Sequence, residues 1–299
     1  MADEAVHNRF LRKPMTPRTR VSVIVPVYNE AGTVSAVLDE LLAFEYAPVE
    51  LEIVIVESNS KDGSRAIVQR YGAEHPAVRL VLQDVAMGKG NAVRAGLAAA
   101  TGDIVIIQDG DLEYRISEYP LLLDPILSGA HDFVLGCRHV PGRRMRVVED
   151  QRLKVALLNV AHWGFTALFD VTYGVRLRDP FTMFKVFRAE CTEGLPLVSD
   201  RFDFDWELLG KLIRRGYKPV EIPITYQARS FQQGKKVRLF ADPPTWLLAC
   251  GRFRLCRIPA PVPRRAARAA RAAVAVDDEV VVDSIVPLEA IDLRHTHVR

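Results

Sequence analysis

The stretch "DIVIIQDGDLEY", residues 103–114, sets Asp109, Asp111 and Glu113 at alternate positions directly after four apolar residues. Like charges this close repel unless a cation, a partner or water compensates them. Mg²⁺ or Mn²⁺ takes one or two protein carboxylates and fills its other positions with water and phosphate oxygens, so a metal-diphosphate site is one chemistry the spacing permits. A solvated turn or helix-capping cluster is the other. The triplet alone decides nothing, because Asp203-Phe204-Asp205 repeats it elsewhere.

Cations that would suit a phosphate occur at three places. "GKGN", residues 88–91, offers Lys89 and backbone amides at a helix start, a geometry that suits anions. It matches neither G-x-x-x-x-G-K-[ST] nor G-x-G-x-x-G after a strand and by itself is more often just a turn. "ARSFQQGKKVR", residues 228–238, gathers Arg229, Lys235, Lys236 and Arg238 around Gly234; it is a diphosphate-covering loop or a solvated basic one. Arg138, in "GCRH", follows the strand-like "DFVLG". His162, Trp163, Phe165 and Phe169 lie on an apolar segment and read as core or interface residues rather than ligands.

These groups need a frame, and hydrophobic periodicity supplies one. From Val21 apolar runs alternate with helix-periodic segments, the pattern of a mostly parallel sheet with helices on both faces. Strands are expected at 21–27, ending at Pro26 for want of an amide, and at 51–56, 78–82 and 104–107. Later ones are expected in "DFVLG", "FTMFKVFR" and "KPVEIPITY". Helices are expected over 34–42 behind a Thr33 cap, over 64–71, after "GKGN", and within "DFDWELLGKLIRRGY". Three strand ends carry polar clusters: Tyr28-Asn29-Glu30, Glu57-Ser58-Asn59 and Asp109-Gly110-Asp111. Open α/β sheets bind ligands beyond the carboxyl ends of their strands, so the three clusters are expected to line one crevice.

The totals constrain class more than function. With 299 residues, 49% hydrophobic, 26% charged and a net charge of +3, the chain can bury a large core. Its near-neutral balance gives no argument for nucleic acid. Four cysteines without C-x-x-C spacing support neither a zinc site nor a disulfide framework, and fit a reducing, cytoplasmic setting. Residues 1–20 read as a basic, mobile arm without a signal-peptide core, 21–240 as the main domain, 241–258 as a C-terminal helical segment and 259–299 as a low-complexity tail. Seven arginines and no acid fall between 252 and 271, a solvated tail or a face for anionic lipid. No run reaches about 18 apolar residues, so no membrane span is expected.

In order, "VSVIVPVYNE", "EIVIVESNSKDGS", "GKGNAVRAGLAAATGDIVIIQDGDLEY", "VLGCR", "DPFTMFKVFR" and "GYKPVEIPITYQARSFQQGKK" strongly resemble the inverting family 2 glycosyltransferases. Within them the likeness is to the polyprenyl-phosphate (dolichol-phosphate) mannose or glucose synthase group, over about residues 20–240. The resemblance implies a GT-A-type α/β fold binding a nucleotide sugar, GDP- or UDP-linked. It implies that Pro26, Tyr28, Asn29, Glu30 and Glu57 hold the nucleoside and that Lys89 lies near the phosphates. Asp109, Asp111 and Glu113 would hold Mg²⁺ or Mn²⁺, and Arg138, Arg229, Ser230 and Lys235 would match cationic positions near the diphosphate. Two departures stand out: Asn59 replaces a usual glycine, which bears on base recognition, and Gly110 replaces the commoner alanine, a loss of one methyl.

The implied acceptor is a polyprenyl phosphate, already ionised near pH 7 and in no need of a strong base. A hydroxyl acceptor on a saccharide or soluble molecule would need one, and Asp205 or Glu207 are the candidates; both also read as helix N-terminal carboxylates facing the dipole. A lipid acceptor would match peripheral contact with the cytoplasmic face of a membrane through the apolar 153–169 segment and its basic flanks; a core helix under the sheet is the alternative. A sugar-nucleotide pyrophosphorylase fits less well, because a glycine-rich N-terminal nucleotide loop is absent from the motif series. A non-catalytic nucleotide-binding protein fits poorly with a complete set of carboxylates.

Overall fold

The structure, a computed structural model, describes residues 18–139, 152–227 and 242–261. Strands β1 (Thr19–Val27), β2 (Val49–Glu57), β3 (Val78–Leu82) and β4 (Ile104–Ile107) pair in parallel, with β1 between β2 and β4. The sheet continues through β6 (Lys185–Arg188), antiparallel to β4 and to β5 (Phe133–Cys137), and ends with β7 (Val220–Pro223) parallel to β5. The order is therefore β3-β2-β1-β4-β6-β5-β7. Consecutive residues are buried along Val21–Val25 in β1 and throughout β4, so both faces of the sheet are covered, as its near-continuous Val and Ile runs demand.

Helices α1 (Val34–Leu42), α2 (Ser64–Glu74), α3 (Lys89–Ala99) and α4 (Tyr119–Leu127) link the first five strands. α5 (Arg152–Tyr173) leads toward β6, α6 (Phe204–Arg214) connects β6 to β7, and α7 (Asp242–Leu255) follows. In α1 the buried residues Val34, Val37, Leu38 and Leu41 form the expected stripe. α4 is an element the sequence reading did not foresee, because "YPLLLDPIL" holds two prolines. Pro120 sits in the first turn, where no donor is needed, and buried Tyr119, Leu122, Leu123 and Ile126 hold the helix through Pro125.

Two local expectations are corrected. β1 does not end at Pro26 but pairs with β2 through Val27↔Glu57. β4 has already ended beside Ile24↔Ile107, and Pro26 faces that vacated side, so its missing amide costs no ladder bond. Thr33 makes no side-chain cap on α1; its hydroxyl donates to the Gly110 carbonyl at 2.9 Å, tying α1 to the carboxylate loop.

Candidate active site

The loops leaving β1 and β2 are stitched to each other. Asn29 N–H donates to Ser60 Oγ at 2.9 Å, Lys61 N–H returns a bond to Asn29 Oδ1 at 2.8 Å, and Glu30 N–H donates to Ser64 Oγ at 2.8 Å. Ala31 N–H donates to Asp62 Oδ2 at 2.9 Å. Asn29 and Asn59 both adopt left-handed backbone, φ 52 and 53, which asparagine tolerates better than most side chains. The glycine-to-asparagine departure at 59 thus keeps the backbone conformation a glycine would take. Glu57, expected to hold a nucleoside, is fully buried and accepts from the amides of Asn59 at 3.2 Å and Ser60 at 2.6 Å. Its carboxylate shapes the turn, while Tyr28 and Asn29 stay exposed and Glu30 half-buried beside it.

Beyond β4 the carboxylates meet a cation from α3. Lys89 donates a hydrogen bond to Asp109. Burial acts to lower the Lys89 pKa, but Asp109, then Asp205 and Asp111, outweigh it and hold the ammonium above its ordinary value. Buried Asp111 accepts the Glu113 N–H at 3.0 Å, and Glu113 Oε2 accepts the Tyr226 hydroxyl at 2.9 Å. Fully buried Gln108 accepts from Tyr119 at 3.1 Å and donates to the Asp109 carbonyl at 3.2 Å, fixing the backbone at the bend. A cation thus already sits among hard oxygen donors at this strand end, and that donor set fits Mg²⁺ or Mn²⁺. An alanine at 110 would meet the Pro26 carbonyl at 3.4 Å, an ordinary contact, so the missing methyl is sterically neutral.

The glycines of "GKGN" serve packing. A Cβ at Gly88, where φ is 119, would stand 2.5 Å from the Asp200 carbonyl, and one at Gly90 would stand 2.6 Å from Phe204 Cβ. Asn91 N–H donates to Asp200 O at 3.0 Å, so the start of α3 is seated on the segment before α6. That segment also delivers Asp205, buried and bonded by Lys185 Nζ at 2.5 Å. Burial raises the Asp205 carboxyl above its usual range against the pull of Lys185 and Lys89, and burial likewise lowers Lys185. Glu207, the other candidate base, points elsewhere: it accepts from Val198 and Ser199 amides at 2.9 and 2.7 Å and pairs with Lys211. Glu207 therefore anchors the 198–200 turn and does not join the carboxylate cluster.

Arg138 is held by Asp179. Its Nε and Nη2 bond Asp179 at 2.7 and 2.7 Å, its backbone N–H adds a third bond at 3.0 Å, and its guanidinium stacks 5.2 Å from the Tyr226 ring centroid. Burial would raise the Asp179 carboxyl, but Arg138 overrides it and holds it far below the usual range. Asp179, Lys185 and Tyr226 were not singled out in the sequence, although "DPFTMFK" carries the first two. Arg229, Ser230 and Lys235 lie outside the described residues; the chain reaches that segment from Gln227, whose N–H donates to the Glu113 carbonyl at 3.1 Å.

Beside this crevice, α5 and α7 present apolar side chains to solvent. On α5, His162, Thr166 and Phe169 are buried, while Val160, Trp163, Leu168 and Val171 are exposed. α7 packs through Trp246, edge-on to Phe165 at 5.4 Å, and through buried Ala249, Cys250 and Phe253, yet leaves Leu247, Leu248 and Leu255 exposed. α5 is thus a core helix on one side and an apolar surface on the other. Among the described residues no helix is long and apolar enough to cross a membrane.

Residues 22–188 match the model of "Glycosyl transferase family 2". A dolichyl-phosphate beta-glucosyltransferase of Trichomonas vaginalis is 30% identical over 216 residues, 68% of this chain and 62% of the relative. A dolichol-phosphate mannosyltransferase of Pyrococcus furiosus is 28% identical over 223 residues, 72% of this chain and 59% of the relative. The chain thus spans about three fifths of the length of these curated relatives. Glucosyl-3-phosphoglycerate synthase from Mycobacterium tuberculosis, solved with Mn²⁺, UDP-glucose and phosphoglyceric acid, shares the fold at TM-score 0.52 and 22% identity, covering 78% of this chain and 80% of that one. With more than half of its residues matched by the family model, its sheet of GT-A type and its acidic strand end in the expected place, the chain belongs to glycosyl transferase family 2.

Proposed function

We propose that this chain is a metal-dependent inverting glycosyltransferase that moves a hexose from a nucleoside diphosphate sugar to a polyprenyl phosphate. The observation that carries the reading is the Lys89 ammonium held among Asp109, Asp111 and Asp205, a cation-seeking site at the carboxyl edge of the sheet. Asp109 and Asp111 are the residues that would hold Mg²⁺ or Mn²⁺, with Glu113 as a third donor. When bound, such an ion supplies charge neutralisation for the departing diphosphate. Lys89, released from Asp109, turns to the phosphates, and Arg229, Ser230 and Lys235 are proposed to close over them. Arg138 acts through its bonded neighbours Asp179 and Tyr226 rather than as a free donor. Tyr28, Asn29 and Glu30 are the proposed nucleoside contacts, with Pro26 giving the strand end its rigid exit.

The acceptor side rests on the apolar faces of α5 and α7 together with Arg252, Arg254 and Arg257, an arrangement that suits docking at the surface of an anionic membrane. The curated relatives named for dolichyl phosphate support the same reading. A phosphate oxygen attacks the anomeric carbon from the face opposite the leaving group, without a general base. A hydroxyl acceptor would instead call on Asp205, whose carboxyl burial raises.

The test incubates the full chain with Mn²⁺ or Mg²⁺ and a panel of nucleotide sugars, with and without undecaprenyl or dolichyl phosphate. Lipid-linked sugar that disappears in Asp111→Ala is the expected result. Nucleotide release that Asp111→Ala leaves unchanged would sink the metal assignment. Transfer to a saccharide hydroxyl with no lipid product would select the Asp205 reading.

A further inference from the structure

Beside Arg138 lie two histidines that the proposed reaction does not use, together with Asp179, whose part in that reaction is to hold Arg138. His139 follows β5, His162 lies on the buried side of α5, and Asp179 precedes β6. The imidazoles face each other through Nε2 atoms 2.9 Å apart, and His162 Nε2 stands 4.0 Å from Asp179 Oδ1. One ligand atom from each of the three lies within 4.8 Å of the others. The aromatic walls are Trp163, 5.1 Å from the His139 ring, and Phe181, 5.7 Å from the His162 ring.

We propose that His139, His162 and Asp179 form a second metal site, for a transition-metal dication such as Zn²⁺, separate from the oxygen-ligand site at Asp109 and Asp111. Zn²⁺ binds histidine nitrogen and carboxylate oxygen at about 2.0–2.2 Å in tetrahedral geometry, so ligands of one ion stand roughly 3.3 Å apart. The separations of 2.9 and 4.0 Å bracket that value and the third lies within 4.8 Å, so rotation about the side-chain torsions would draw the three ligand atoms together. An Nε2···Nε2 contact of 2.9 Å holds a proton between the rings in the metal-free state; an ion that displaces it lets both nitrogens act as ligands.

Asp179 has the capacity to take part. A carboxylate offers about four lone-pair positions. Arg138 N–H and Nε–H use two on Oδ2, and Nη2 uses one on Oδ1. The fourth is on Oδ1, the oxygen beside His162. Arg138 then fixes the ligating carboxylate in the manner of an outer-shell partner. Two imidazoles and one carboxylate favour Zn²⁺ or its neighbours over Mg²⁺, while carboxylates alone favour the reverse, so the two sites select different ions. Such an ion would clip the end of β5, α5 and the segment entering β6 at one point, and with them the helix that carries exposed Trp163 and Val171.

The experiment titrates Zn²⁺ into the untagged full chain in excess Mg²⁺ by calorimetry, with Co²⁺ absorption as a second readout of coordination. One Zn²⁺ per chain is expected, retained in Asp111→Asn and weakened at least about 10-fold in His139→Gln, the low end of the loss seen when even an outer partner of a metal site is removed. His139 is only half-buried, so H139Q tests the site without removing a core side chain; H162Q repeats the test from α5. Zn²⁺ should also raise the melting temperature of the parent chain and not that of H139Q. Zn²⁺ binding that survives both variants, for instance through His295 and His297, overturns the proposal, as does binding abolished by Asp111→Asn. Sugar transfer is not a readout here, so failure of the second site leaves the proposed reaction standing.

Discussion

Lys89 donates a hydrogen bond to Asp109, joining the first residue of α3 to the bend after β4. On the proposed reading the pair would set two binding events against each other, because the ammonium would have to leave Asp109 before an ion took its place. Lys89→Met should therefore raise donor-free Mn²⁺ affinity while weakening the nucleotide sugar. With a charged hydrogen bond worth about 1.5–3 kcal/mol, kcat/KM for the donor should fall roughly 10- to 160-fold. Mn²⁺ titration by electron paramagnetic resonance and steady-state kinetics give the two numbers; a fall in both affinities would mean that Lys89 supports the ion instead of competing with it.

Glu207 and Asp205 sit two residues apart on α6 and should behave differently. Glu207→Gln removes the counter-charge of buried Lys211 and weakens the 198–200 turn. The expected cost is about 3 kcal/mol of stability, read as a lower urea midpoint, with kcat of the folded enzyme within about twofold of the parent. A large loss of kcat at unchanged stability would return Glu207 to the catalytic cluster.

Asp62 links the two strand-exit loops through Ala31 and Ser64. Burial raises its carboxyl, yet the bonds from the Ser64 hydroxyl and from the Ala31 and Ser64 amides outweigh burial and leave its pKa below the ordinary value. A carboxyl depressed in the folded state binds fewer protons than in the unfolded chain, so its contribution is complete above the unfolded pKa near 4 and is lost as pH falls through the folded one. Asp62→Ala should cost about 1 kcal/mol at neutral pH, modest because the group is exposed. In urea titrations that gap should narrow below about pH 4; a gap of constant size down to pH 2 would refute the assignment.

Two glycine-to-alanine changes separate packing from chemistry. Gly90→Ala drives a methyl to 2.6 Å from both Phe204 Cβ and the Ser199 carbonyl, and overpacking of this kind costs about 1–3 kcal/mol. A lowered melting temperature together with a raised donor KM is expected, because Lys89 moves with the start of α3. Gly110→Ala meets only ordinary contacts and should leave both quantities nearly unchanged. Equal damage from the two would mean that Gly110 needs its conformational freedom.

The sequence made the elements legible wherever burial was continuous. β3 and β4 fall on the expected residues because their neighbours are turns, whereas β1 and β2 run further because a paired neighbour extends a strand past its apolar core. Asp109, Asp111 and Lys89 are readable as candidates from their types, and the structure sets Lys89 against Asp109 at one strand end. Glu57 and Glu207 show a limit of spacing alone: a buried carboxylate that satisfies backbone amides looks, in sequence, like one that awaits a ligand. Asp179 and Lys185 were missed for the converse reason, since their partners Arg138 and Asp205 lie 41 and 20 residues away and no local spacing announces the pairing. α4 escaped notice because tertiary burial of Tyr119 and Leu122 overrides its prolines.

β6 runs against both of its neighbours, so Lys185 begins the strand at the edge where β4 and β5 finish. The crevice accordingly has two banks of opposite polarity. One is made of loops departing from strands, among them the Asn29 and Asp109 turns; the other is made of chain arriving at one, from Gly174 to Phe184. A departing loop passes the chain on to a helix and is braced by its neighbouring loops, whereas the arriving segment is tethered by α5 behind it and by the sheet ahead. Length changes there would be transmitted into α5 rather than absorbed at a tip, which makes 174–184 the place where redesign of one bank would reshape the helix surface while the other bank stayed in register.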